Sequence, residues 1–502
     1  MDPNELSAGS SSSRPHAAGH AVDRPDAGDS SPSALAGTLR AAFEVVFLGY
    51  LVGIAAFSRE FAHLHLTVHG IPLFMGELVL LTLTILATAS HLARRRLPFR
   101  LDFAAWALLT LLTAGAVLAV RGLLMGFGLA VLRDFALVYY GWFFFLTLAY
   151  LRQGGTCVRI LGALLAGAVV GSVAETSRFL ASPSLTWGHA TAGFNGLFAW
   201  AAVVVALALA TTSTGFIRRA AAAAAVAVCT FAIYLTAYRT LIFVAAVAVT
   251  VVSIWSGFQT GRSARRFAWS LWGWMALMAV LILVPRIAIP SPHRIVPVNG
   301  PLTLRDALGS ISHRWTGQRF GGLPMLLRRD VESAPDPKKR GVGSVPDPQD
   351  WKGSASFRLA AWKNALVRIE ASPWFGIGYG PPAILYPASG CDTAPSPTSN
   401  CGSAHNTYLT LAVRMGIPSA VLLCALLGWL LSRSVLSARK SARDPGRDLS
   451  SFVAFAALLS CAVFGLTGLL FESPYLGSVV WVLAGVIAHQ TTESTSAELR
   501  TC

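Results

Sequence analysis

The sequence predicts an all-α fold: a polytopic integral membrane protein of about twelve transmembrane helices, with one large outer loop containing an amphipathic helix. Three observations predict it. Of the 502 residues, 54% are hydrophobic and only 13% charged, whereas soluble domains carry roughly 25% charged residues; the mean hydropathy is +0.57. Uncharged runs such as 103–120 and 267–285 approach the ~20 residues that a bilayer-crossing helix needs. The net charge of +16 is gathered in short loops between such runs, which is the positive-inside pattern of membrane proteins.

In chain order, residues 1–37 are rich in Ser, Ala, Pro, Gly and His. They lack the apolar core of a signal peptide and read as a disordered cytoplasmic tail. Nine spans are then expected within 38–285, at 41–57, 71–89, 103–120, 134–151, 158–176, 193–211, 220–237, 240–256 and 267–285. The segment 121–133 reads as a re-entrant or interfacial piece. Residues 286–406 form the long outer loop. Three further spans, 407–432, 451–470 and 475–489, fall within 407–490, and 491–502 is a second cytoplasmic tail.

Loop charge sets the orientation. With the N-terminus in the cytoplasm, alternate short loops carry the arginines of 94–100, 152–159, 218–219, 262–266 and 433–447. The opposite edges hold Arg59, Arg121, Arg133, Arg178 and Arg239. This asymmetry predicts an even helix count and both termini inside. No basic face interleaved with aromatics is present, so a nucleic-acid partner is not expected.

Within the long loop, 320–353 reads as mobile and the stretch from 355 onward as folded. Phe357, Ala361, Trp362, Ala365, Leu366 and Ile369 recur at helical spacing and predict an amphipathic helix that ends before Pro373. Gly376, Gly378 and Gly380 then permit a tight backbone path. Of seven cysteines, Cys391 and Cys401 share the outer loop. In an oxidising periplasm they are expected to pair, two free thiols being the alternative. Their spacing fits no structural zinc pattern.

Chemistry concentrates near 401–418, CGSAHNTYLTLAVRMGIP. The imidazole of His405, at the outer mouth of the tenth span, can serve as a general base near neutral pH. Asn406 can cap the helix that follows. Arg414 lies ~13 Å further along that helix and is expected to pair inside the bundle. The outer-edge arginines Arg133, Arg178 and Arg239 have guanidinium forks suited to phosphate oxygens. The plainer alternative for each is snorkelling, or pairing with Glu175 or Glu77.

AHNTYLTLAVRMGIPSAVL resembles the His-Asn segment of the O-antigen ligase and polymerase superfamily. FRLAAWKNALVRIEASPWFGIGYG is similar to the same family's Arg, Trp, Pro and Gly-x-Gly segment. AYRTLIF resembles its Ser-Arg helix edge, with Tyr238 in place of serine, and AGFNGLFAW resembles its asparagine helix start through Asn195. The resemblance runs over roughly residues 190–430. It implies a bacterial inner-membrane enzyme with a large periplasmic loop. It implies transfer of a glycan from undecaprenyl diphosphate to the hydroxyl of an acceptor, lipid A-core or a growing glycan, without metal or other cofactor.

By that resemblance His405 activates the acceptor, and Arg239 with a second cationic group holds the diphosphate. The arginine usual before the asparagine helix start is absent, which leaves Arg178, His189 and Arg133 as candidates for the second clamp. Arg358 matches the family's loop arginine, and Asn406 and Asn195 are supporting residues. Many members carry an acidic residue at the position of Arg414. The alternative within the family is a repeat-unit polymerase for O-antigen or exopolysaccharide. A secondary transporter is a more distant alternative; it calls for repeated halves and midplane ionisable residues, and no internal repeat is evident.

Overall fold

The computed structural model describes residues 34–68, 71–94, 102–181, 196–213, 215–236, 239–257, 262–288, 351–381, 383, 403–441 and 450–499. Residues 1–33 of the expected tail 1–37, residues 320–350 of the stretch 320–353, His189, Asn195 and both Cys391 and Cys401 lie outside the described residues, while 34–37 and 351–353 are helical.

The first part of the chain is α1 (Ala34–Ala62), the two-stranded antiparallel hairpin β1 (His65–Val68) and β2 (Ile71–Phe74), α2 (Met75–Arg94), α3 (Phe103–Leu124), α4 (Leu129–Tyr139), α5 (Trp142–Arg152) and α6 (Cys157–Ala181). Next come α7 (Gly196–Thr212), α8 (Phe216–Thr236), α9 (Arg239–Gly257) and α10 (Arg262–Ala288). The last group is α11 (Trp351–Ala371), α12 (Thr407–Met415), α13 (Ile417–Ser441), α14 (Ser450–Phe464) and α15 (Pro474–Leu499).

Among the described residues six helices are long and apolar enough to cross a membrane, or seven if α4 and α5, bent by 43° at their junction, form one span. Three shorter apolar helices, Gly196–Thr212, Leu241–Ile254 and Phe452–Phe464, stand beside them. Where the expected spans fall on described residues most of each is helix, but 71–89 begins in strand β2 (Ile71–Phe74) and 451–470 runs past the end of α14 at Phe464 into a turn. The expected 134–151 span breaks at Tyr140–Gly141, where an added Cβ at Gly141 would lie 2.8 Å from the Val138 carbonyl oxygen. The expected 407–432 span breaks at Gly416, whose φ of 83° is outside the helical region. Hydropathy cannot register either break, because the flanking residues stay apolar. The segment 121–133 is no separate piece: α3 runs on to Leu124, and a turn with left-handed Gly126 and Gly128 leads into α4.

Some helices are apolar all round and sit inside the bundle. Phe143 through Leu151 of α5 are all buried, as are most residues of α7 and α15. Others turn large apolar side chains outward, such as Leu81, Ile85 and Leu92 on α2 and Val117 and Val120 on α3. Such faces suit hydrocarbon. In lipid the association of helices rests on close packing and interhelical hydrogen bonds. Both are present. Gly167 of α6 lets α1 approach so closely that a Cβ there would meet the Val52 carbonyl oxygen at 2.4 Å. The indole N–H groups donate across helices: Trp200 to Ser460 at 2.8 Å, Trp274 to Thr230 at 2.7 Å and Trp142 to Thr84 at 2.9 Å. Each such bond contributes about 0.6 kcal/mol on average.

The helix expected in the second half of the long loop is α11. Ala361, Ala365 and Ile369, four residues apart, pack on Ala404, Ala412 and Val413, with Trp362 beside them. Leu366, expected on that face, is exposed. A strict four-residue stripe of small side chains makes the contact, so the neighbouring leucine points away.

Candidate functional site

The site is built around α12, nine residues long and buried along most of its length. Its C-terminal end is clasped by residues 373–381, the strap that follows α11. Ile377 N–H donates to the Val413 carbonyl at 2.8 Å, Gly378 N–H to the Arg414 carbonyl at 3.0 Å, and Ile417 N–H to the Pro373 carbonyl at 2.7 Å. This path explains the Gly-x-Gly spacing. Gly376, Gly378 and Gly380 all have positive φ, and a Cβ on Gly376 would lie 2.5 Å from the Arg414 carbonyl group. A side chain on Gly416 would lie 2.2 Å from the Trp374 carbonyl oxygen.

Arg414 is sealed beneath the strap with 1% of its side chain exposed, paired with Asp134 of α4 at 2.8 Å. Its Nη1 donates to the carbonyls of Gly378, at 3.2 Å, and of Pro381. Asp134 also accepts the Gly380 N–H at 2.9 Å. The expected pairing of Arg414 inside the bundle is therefore what the structure contains. A buried pair holds together only when further hydrogen bonds satisfy both groups, and here the strap supplies them.

The N-terminal end of α12 carries His405. Asn406 is the N-cap, its Oδ1 accepting from Leu409 N–H at 3.1 Å, as the sequence suggested. Thr407 ties the first turn to the loop between α14 and α15: its N–H donates to Gly465, its hydroxyl donates to Gly468 at 3.2 Å, and it accepts from Leu470 N–H. His405 itself has a φ of 51°, a left-handed conformation that costs a non-glycine residue about 1–3 kcal/mol. A relay of contacts holds it there. His405 N–H donates to Ser403 Oγ at 3.0 Å, and Ser403 Oγ donates to Glu472 Oε1 at 2.7 Å. From the other side Trp362 of α11 donates its indole N–H to the Ala404 carbonyl at 3.0 Å.

The electrostatics follow from burial. Desolvation lowers the pKa of His405, and the Arg358 guanidinium lowers it further. A neutral imidazole is thereby favoured. Burial raises the Glu472 carboxyl to about 7, against the opposing hydroxyls of Thr410 and Ser403. The structure thus brings His405, Asn406 and Arg358 together. Arg133 lies next to Asp134, 3.4 Å from its carboxylate, with 40% of its side chain exposed. Arg178 falls on α6 and Arg239 opens α9; their side chains are outside the described set. Glu77, considered as a partner for an outer arginine, instead accepts from Phe74 N–H at 2.6 Å and from the Tyr139 hydroxyl.

Sequence reasoning missed Glu472, Ser403 and Asp134, and it placed Trp362 on the helix face without its hydrogen bond to Ala404. Glu472 left one signal, an acidic residue isolated between the last two spans, where an ionisable group is costly unless used. Asp134 left none that pointed to α12, because its partner is 280 positions away. Among the described residues, no three His, Cys, Asp or Glu side chains converge as metal ligands do.

No curated protein matches the chain. Residues 223–424 match the family model of O-antigen ligase. The matched segment runs from α8 into α13 and includes Arg239, Arg358, His405, Asn406 and Arg414. Over those residues the chain is similar to the O-antigen ligase family, in agreement with the order of the motifs.

Proposed function

We propose that the protein is an O-antigen ligase-like glycosyltransferase of the bacterial inner membrane. It moves a glycan from undecaprenyl diphosphate to a hydroxyl of lipid A-core on the periplasmic face. The observation that carries this reading is the His405 turn: a backbone in a left-handed conformation, braced from two sides, holding a partly buried imidazole whose pKa burial and Arg358 lower. A lowered pKa favours the unprotonated imidazole, the form that can take a proton as general base.

In the proposed step, His405 takes the proton of the acceptor hydroxyl as its oxygen bonds to the anomeric carbon. The bond from that carbon to the phosphate oxygen breaks, and undecaprenyl diphosphate leaves with the electron pair. Arg239, with Arg178, His189 or Arg133, meets the charge that develops on the diphosphate. Positive groups placed where negative charge grows stabilise the transition state more than the ground state. Protein groups suffice for each part, and no metal is invoked.

The test is transfer by purified protein from a lipid-linked glycan to candidate acceptors. Product on lipid A-core, abolished in His405→Ala, is the expected result. Elongated lipid-linked glycan without transfer to lipid A-core would make the protein a polymerase, and full turnover by His405→Ala would remove His405 from the reaction.

A further inference from the structure

We infer that the strap and the outward face of α11 form a docking surface for lipid, with Trp374 and Phe375 as its anchor at the membrane surface. The inference needs α13 as a membrane span. It does not need the proposed reaction. The residues of α11 divide between two faces. Ala361, Ala365 and Ile369 pack against Ala404, Ala412 and Val413. A helix resting on protein through that face would be polar on the other. Instead the other face carries Leu359, Leu366 and Val367, all exposed, beside Lys363 and Glu370. The strap adds two larger side chains: Trp374 is 70% exposed and Phe375 74%. Aromatic side chains carry large apolar areas, and apolar surface gathered and left open in this way marks an interaction site.

The start of α13 shows what covers them. Ile417 N–H donates to the Pro373 carbonyl at 2.7 Å, and a Cβ on Gly416 would lie 2.2 Å from the Trp374 carbonyl oxygen. The backbone of the two aromatics is thus fastened to the first turn of α13. From that turn Ile417, Val421, Cys424, Ala425 and Gly428 form an exposed stripe without charge, at the spacing of one helix face. The apolar part of α13, Ile417–Leu436, is 20 residues long, which by itself fills the ~30 Å of hydrocarbon in a bilayer. Its first turn therefore lies at the edge of the hydrocarbon, and its stripe faces the acyl chains. Trp374 and Phe375 stand where that surface meets the headgroups, the level at which tryptophan is enriched in membrane proteins. Lys363 and Glu370 hold α11 at the same level, since a lysine stem can lie along apolar surface while its ammonium stays among polar groups.

The consequence is mechanical. The strap closes on α12 through the N–H groups of Ile377 and Gly378. An anchor at Trp374 and Phe375 ties α12 to the membrane surface and sets the depth of its far end, where His405 stands.

The experiment uses the full-length protein in nanodiscs of phosphatidylethanolamine and phosphatidylglycerol. The photo-crosslinking residue p-benzoylphenylalanine is placed at position 374, 375 or 421, and adducts are read by mass spectrometry. Lipid adducts at 374 and 375, comparable in abundance to those at 421, are the expected result. Adducts to residues 289–350 or 384–402 of the same chain, or to a second copy, in place of lipid would overturn the inference. So would an absence of lipid adducts at 374 and 375 when 421 gives them. No lipid adduct at 421 would remove the span on which the inference stands. The second arm is hydrogen exchange in Trp374→Ser with Phe375→Ser. Exchange of the Ile377 and Gly378 amides is expected to rise about tenfold as the strap opens locally, and to stay near wild type in Trp374→Phe with Phe375→Trp. Wild-type exchange in the serine pair would deny the strap its anchor. If the serine pair fails to fold, the crosslinking arm still decides. Neither arm reads glycan transfer, so failure of the proposed reaction and failure of the docking surface are seen separately.

Discussion

The two ends of α12 are built from similar materials to opposite purposes. At the C-terminal end Arg414 and its carboxylate partner are sealed. Arg414 meets Asp134 and two carbonyls, and the strap backbone completes the set. At the N-terminal end a histidine is held in an unfavourable φ, partly exposed, by contacts to its backbone and its neighbours. The closed end makes a rigid mount. The other end holds a partly exposed imidazole on a pinned backbone. Reactive groups set on rigid supports keep the alignment that transfer requires.

The sharpest way to separate the two ends is to remove each key side chain. His405→Ala should lower transfer by about 10²–10⁴-fold, the range for a general base, while thermal stability in detergent changes little. A large loss of stability in that variant would place His405 in the mount. Arg414→Met should do the opposite and cost up to about 3–5 kcal/mol of stability, because it removes the closer and fully buried counter-charge of Asp134 and leaves Arg133 at 3.4 Å, read as a lowered thermal midpoint. If Arg414→Met keeps the wild-type midpoint, the closed end is not what holds α12.

Glu472 offers a finer division. Its folded pKa, about 7, lies above the ordinary carboxylate value. Its protonated form therefore adds stability that is fully present below the unfolded pKa and is lost as pH rises through about 7. Thermal midpoints measured from pH 4 to 8 should fall more steeply in wild type than in Glu472→Gln. The expected difference is on the order of 1–3 kcal/mol. Parallel profiles would show that the carboxyl does not titrate there. The smallest expected effect belongs to Arg358→Gln. Removing that positive charge raises the His405 pKa, so the acid limb of the pH–rate profile should move to higher pH, with kcat at pH 8 little altered. An unmoved limb would separate Arg358 from His405 electrostatically.

Much of this was legible in the residues. Low charge and long apolar runs marked the helices, and Asn406 followed by an apolar stretch marked a helix start. His405 stood out as an imidazole where a polar loop turns into an apolar stretch. The face of α11 was legible through Ala361, Ala365 and Ile369, but Leu366 was misplaced because periodicity cannot show which side chains fit against Ala412 and Val413. The break at Gly416 was hidden because hydropathy does not report φ. Glu472 and Ser403 could not be joined to His405 from the chain, because 69 positions separate Ser403 from Glu472.

The sequence by itself determined what is local. It decided which segments prefer hydrocarbon, where helices can be capped, and where only glycine permits a close approach, since each depends on residues within a few positions of one another. The tertiary structure alone decided what is shared between distant segments: that Asp134 neutralises Arg414, that Glu472 through Ser403 restrains His405, and that Trp362 holds the carbonyl beside it. The physical reason is that a buried polar group must be matched at hydrogen-bond distance. Any suitable partner along the chain would meet that need, and only packing selects which one arrives.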